Sequence, residues 1–139
     1  MSALVFTLRA VPAQRLDLAP LKPDQLLGLS EGKIAATELQ TTRERLCAGD
    51  VFKIRMGDAT QIRFDGGSER FDRIGAGMSQ GEISIDGDVG NQAGRLMRGG
   101  RLAVAGNAGP WAASGMKGGT LADMAVIGKG EIFYPPVAN

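Results

Sequence analysis

The chain has 139 residues, with 16 basic against 15 acidic side chains, a formal net charge of +1 and one cysteine. That length makes one domain able to bury a core without staples, and the charge balance supplies no overall field for nucleic acid or a membrane surface. Histidine is absent, which removes the commonest general base at neutral pH, the usual triad base and the commonest zinc ligand.

The opening "MSALVFTLRA" lacks a basic segment followed by a long apolar one, and no apolar run approaches the roughly 18 residues of a membrane span. A cytoplasmic protein is expected. "LVFTLRA" reads as a strand. In "PLKPDQLLGLSEGKIAATEL", Pro23 suits a first helical position and Ser30 an N-cap, so two short helices are expected. Cys47, in "RLCAG", reads as a buried structural thiol at a strand or strand end; alone it excludes an internal disulfide and any four-cysteine metal site. "VFKIRM" and "QIRFDGG" alternate and end in glycine or Asp-Gly, which reads as strand, turn, strand. Residues 1–50 are thus an N-terminal strand with short helices, leading into residues 51–139, where strand and turn repeat.

The repeat has a countable period. Met78, Met97 and Met116 recur at 19 residues, as do Gly81, Gly100 and Gly119, followed in step by Ile83, Leu102 and Leu121. Ile85 matches Val104, Gly87 matches Gly106, Asp88 matches Asn107, and Gly90 matches Gly109. One unit earlier, "IRFDGG" aligns with "ISIDGD" at a spacing of 21. A fixed period of this size signals a solenoid, whose units bury their apolar sides only by stacking. The glycines break helical periodicity, and leucine-rich repeats want more leucines and an asparagine per unit. Calcium-binding nonapeptide repeats would show GGxGxD, which does not occur. The expectation is a mainly β fold, a parallel β-helix of about 19-residue turns.

In such a coil Ile83, Ile85, Leu102 and Val104 point inward, and Ser84 and Ala103 outward. Gly81, Gly87, Gly90, Gly100, Gly106, Gly109 and Gly119 read as corner residues, where positive φ and close stacking exclude a Cβ. Asp88 and Asn107 read as corner side chains bonding their own backbone. The three methionines read as a core column. No phosphate loop survives: GxxxxGK[ST] is absent, and "GAGMSQG" misses the dinucleotide spacing. Arg98 and Lys117, one repeat apart, are candidate partner contacts if both face outward.

The pattern Met-x-x-Gly-x-Ile/Leu-x-Ile/Val-x-Gly-Asp/Asn-x-Gly, preceded by "RLDLAPLKPDQLLGLSEGKIAATELQ" and "CAGDVFKI", resembles the C subunit of formylmethanofuran dehydrogenase. It is most similar to the bacterial version, the C subunit of the formyltransferase/hydrolase complex of methylotrophs. The likeness runs over roughly residues 3 to 121. The repeat alone also resembles the C-terminal GXGXG domain of glutamate synthase, a spacer in an amidotransferase; Leu16, Leu18, Pro20, Leu21, Pro23, Leu27 and Leu29 favour the C-subunit family.

The resemblance implies a non-catalytic, right-handed β-helix packed against subunits that hold the active centres. Those are an amidohydrolase-like subunit, a formyltransferase subunit and a further subunit. It implies a methanofuran-type carrier, a tetrahydropterin and metal used by the other subunits, and no catalytic, cofactor or metal residue on this chain. After "GMKGGTL" the chain leaves the family pattern: "ADMAVIGKGEIFYPPVAN" keeps only Gly128 in register. The alternatives at that point are a truncated copy or a separate strand through "GEIFY" that caps the coil.

Overall fold

The computed structural model describes residues 2–42, 45–123 and 132–133. Strand β1 (Ala3–Leu8) forms where apolar and polar residues alternate, and it turns Leu4 and Phe6 fully inward. After the two-residue strand β2 (Leu16–Asp17) come helix α1 (Pro23–Leu26), with Pro23 in its first turn, and helix α2 (Glu31–Ala35). Ser30 caps α2 by accepting a hydrogen bond from Lys33 N, and Ile34 is its buried anchor.

Strand β3 (Glu38–Thr41), strand β4 (Leu46–Cys47) and helix α3 (Ala48–Val51) follow. Leu46–Cys47 is a strand that ends at Cys47, as expected for "RLCAG". Helix α3 is capped at Cys47, whose backbone N–H donates to Asp50 Oδ2 at 2.8 Å, and the thiol is half-buried rather than buried as expected. Strands β5 (Phe52–Arg55) and β6 (Asp58–Asp65) do not pair with each other. Strand β1 lies between them, antiparallel to β5 and parallel to β6. Phe6, Phe52 and Phe64 thereby meet in one cluster, with Phe6 and Phe64 stacked at 5.0 Å and Phe52 edge-on to both.

The remaining strands are β7 (Phe71–Asp72), β8 (Glu82–Ile85), β9 (Arg101–Val104), β10 (Thr120–Asp123) and β11 (Ile132–Phe133). One sheet has seven strands in the order β11-β10-β9-β8-β6-β1-β5, and the other has four in the order β4-β3-β2-β7. The seven-stranded sheet carries the repeat: Ile62, Ile83, Leu102 and Leu121 stand in register, as do Phe64, Ile85 and Val104. All are at most 2% exposed. Met78, Met97 and Met116 lie in the same core.

The expected right-handed parallel β-helix is corrected by this topology. Both sheets are mixed: β5 and β11 close the larger one with antiparallel pairings, and β2, β3 and β4 pair antiparallel in the smaller. A coil of that kind needs strands on several faces of every turn, and hence several alternating segments per unit. Here each unit alternates once, in "EISI", "RLAV" and "TLAD", and the rest of it runs through turns. Those turns hold left-handed residues at the same place in successive units, Arg73, Gln92 and Trp111 at φ 58°, 62° and 67°. A left-handed residue ends an extended segment. The period therefore dictates the register of one parallel ladder and not a solenoid, and a GXGXG solenoid domain is corrected with it.

Of the C-terminal segment, Ile132–Phe133 pairs antiparallel with β10, with Leu121 opposite Ile132. Gly128 lies outside the described residues. No helix among the described residues is long and apolar enough to cross a membrane.

Candidate interaction surface

The turns between ladder strands are held by polar bonds that jump one unit. Asp72 Oδ1 accepts from Asn91 N, and Asp88 Oδ1 accepts from Asn107 N, both at 2.8 Å. The aspartate at this corner therefore bonds the next unit's backbone, not its own as expected. Asp72 also receives Arg15 through two bonds, Nε at 2.7 Å and Nη2 at 2.6 Å. That pairing, foremost through the hydrogen bond, pushes the Arg15 guanidinium above its ordinary value.

The seven repeat glycines sit at close approaches. Gly81, Gly100 and Gly119 share φ of 77°, 79° and 85°. A Cβ on Gly100 would lie 2.6 Å from Gly81 O, and one on Gly119 would lie 2.8 Å from Gly100 O. A Cβ on Gly87 would lie 2.6 Å from Gly67 N, one on Gly106 2.6 Å from Gly87 C, and one on Gly109 2.8 Å from Gly90 O. On Gly90 it would strike Asp72 Oδ1 and the Glu69 carbonyl oxygen, against the Arg15 pair.

Arg98 and Lys117 are both exposed, and their backbone N–H groups bond to Met78 O and Met97 O, one unit back in each case. Another surface was missed by sequence reasoning, and neither Arg98 nor Lys117 lines it. Trp111 is 71% exposed and Leu96 is 49% exposed. They line one depression with Gln92, Arg95, Ser114 and Gly115. The Leu96 side chain lies over Gly115, where a Cβ would come within 2.8 Å of Leu96 Cδ2. Ser114 Oγ is shut off from solvent there and has no hydrogen-bond partner. A second depression continues from Arg95 and Leu96 to Arg73 and Ala76, and a third from Gln92 and Trp111 to Asp17. Arg73 Nε donates to Gln92 Oε1 at 3.1 Å, and its Nη1 stands 3.6 Å from Asp17 Oδ2. The signal in the sequence was slight: the single tryptophan falls in a glycine-rich turn with no apolar alternation to bury it. Among the described residues no group of three or more Cys, Asp or Glu could hold a metal ion.

No family model matches the chain. The C subunit of the formyltransferase/hydrolase complex of Methylorubrum extorquens is 43% identical over 85 residues, which are 61% of this chain and 32% of that protein. The C subunit of molybdenum-containing formylmethanofuran dehydrogenase 1 of Methanothermobacter thermautotrophicus is 37% identical over 81 residues, 57% of this chain and 20% of that protein. A chain in the crystal structure of the M. extorquens formyltransferase/hydrolase complex with methylofuran aligns with a TM-score of 0.82 at 42% identity, covering 86% of this chain and 45% of that chain. The chain spans about a third of the length of the first of these relatives and less than half of the solved chain. In sequence and in fold, the shared segment makes this chain a relative of the C subunit of the formyltransferase/hydrolase complex, in a line that reaches the C subunit of formylmethanofuran dehydrogenase.

Proposed function

We propose that this chain is a non-catalytic structural subunit of a formyltransferase/hydrolase complex in one-carbon metabolism. The observation that carries the reading is the TM-score of 0.82 at 42% identity to a chain within such a complex, along 86% of the present chain. Its partners in this reading are an amidohydrolase-like subunit that hydrolyses the formyl group, a formyltransferase subunit and a further subunit. The carrier is of the methanofuran type, as the relative's complex holds methylofuran, and the tetrahydropterin and metal belong to the partner subunits. The absence of histidine from the sequence favours a scaffold over a catalyst. The repeat glycines fit that role because they let the backbones of successive units approach closely, and Arg98 and Lys117 are contacts toward an acidic partner face.

Expression of the M. extorquens A, B and D subunits with and without this chain tests the proposal. With the relative's own C subunit left out, assembly and formyl-transfer activity should be higher with the chain than without it, and the purified chain alone should neither transfer nor hydrolyse formyl groups. Formyl turnover by the chain alone, or equal assembly in its absence, would overturn the reading.

A further inference from the structure

The left-handed backbone at Trp111 belongs to the repeat, shared with Arg73 and Gln92, but neither backbone nor core accounts for a tryptophan there. At φ 67° a bulky side chain is strained, and the ring gains little from burial in return, being 71% exposed. Leu96 repeats the anomaly: glycine stands at its equivalents Gly77 and Gly115, whereas Leu96 holds φ 58° while about half exposed. Strain kept at an exposed site points to a use for the side chain.

Charge says what kind of occupant fits. Residues 89–122 contain Arg95, Arg98, Arg101 and Lys117 and not one aspartate or glutamate, in a chain that is nearly balanced as a whole. Arg101 stands 3.6 Å from Glu82 of the neighbouring strand. Arg95, Arg98 and Lys117 make no ion pair among the described residues. On the other side of Trp111 stand Asp17 and Asp72, each already paired with an arginine, so the unmatched charge beside the tryptophan and leucine is Arg95, and an exposed aromatic and leucine with such an arginine is the composition of an interface centre.

We infer that the depression around Trp111 and Leu96 docks a segment of a partner protein in which an apolar anchor is flanked by carboxylates, the anchor seated on Trp111 and Leu96 and a carboxylate on Arg95. This rests on the scaffold reading and adds the surface that does the holding. A phosphate backbone fits less well, because it offers nothing apolar to cover the ring.

The test uses the A, B and D subunits of the M. extorquens complex as the probe, co-expressed with the tagged chain as wild type, Trp111→Asn, Leu96→Asn or Arg95→Glu. Asparagine tolerates the left-handed backbone better than tryptophan or leucine, so the first two variants should melt at or above the wild-type temperature. Each variant should weaken capture of the probe by about tenfold or more, as loss of an interface anchor does, and wild-type capture should fall with salt. Wild-type capture matched by all three variants would overturn the docking surface and leave the scaffold reading standing. No capture by the wild type would overturn both. A self-association abolished by Trp111→Asn, or a DNA duplex bound as tightly as the probe, would overturn it in favour of a second copy or a polyanion.

Discussion

Asp88 Oδ1 takes its hydrogen bond from Asn107 N at 2.8 Å, and these two residues are one repeat apart. Asp72 and Asn91 make the same bond one corner earlier, with Arg15 added. The two carboxylates therefore fasten consecutive units in the same way and differ in what else depends on them.

That difference sets unequal costs. Asp88 is exposed and makes the single bond, so Asp88→Ala should cost about 1 kcal/mol. Asp72 has a side chain only 22% exposed and holds both the guanidinium and the backbone N–H. Its removal leaves the Asn91 N–H unpartnered and Arg15 with only its bond to Glu69 O, so Asp72→Ala should cost about 2–3 kcal/mol. Urea unfolding of the two variants measures this, and equal losses would show that Arg15 adds nothing.

Two glycines separate strain from crowding. Gly28 has φ 81° and open space where a Cβ would stand; Gly100 has φ 79°, and a Cβ there would lie 2.6 Å from Gly81 O. Gly28→Ala should cost about 1–2 kcal/mol for the left-handed backbone alone. Gly100→Ala must also push apart two stacked backbones and should cost clearly more. Matched losses in thermal or urea unfolding would contradict the close stacking of the units.

The ladder was legible in the sequence because period and alternation coincide there: Ile83, Leu102 and Leu121 share one register. The same period hid the mixed topology. Nothing in "VFKIRM" and "QIRFDGG" tells that β1 slots between them, since strand order depends on distant residues such as Phe6 meeting Phe52 and Phe64. The Trp111 surface was hidden for another reason. Its backbone is left-handed without glycine, and residue type does not announce that conformation in tryptophan or leucine.

One contribution to acid sensitivity should be traceable to Asp58. Its Oδ1 accepts from Thr60 Oγ1 at 2.6 Å and from Thr60 N at 2.9 Å, and the hydroxyl bond foremost holds the carboxyl below its ordinary value. A carboxyl depressed in the folded state stabilises fully above its unfolded pKa of about 3.9 and loses that contribution as pH falls through the folded value. Thr60→Val, which keeps only the backbone bond, should raise the Asp58 midpoint in an NMR titration. Its stability deficit should be present at pH 6 and shrink in acid; an unmoved midpoint would show that the hydroxyl bond does not matter.

The ladder register rests on which side chains face the core. Ile85 is 2% exposed and stands between Phe64 and Val104 across the sheet. An aspartate there would bury a charge with no partner, which costs several kcal/mol against the roughly 5–15 kcal/mol that hold a domain together. Ile85→Asp should therefore unfold the chain or leave it marginal. Ser84, one residue away, is half-buried on the opposite face between Arg63 and Ala103. Ser84→Asp sets a carboxylate beside Arg63 and should change stability by no more than about 0.5 kcal/mol. Circular dichroism melts of the two variants read the difference directly. Because a one-residue slip would turn every ladder side chain to the other face, a damaging Ser84→Asp with a tolerated Ile85→Asp would mean that the strands pair one residue out of the register described.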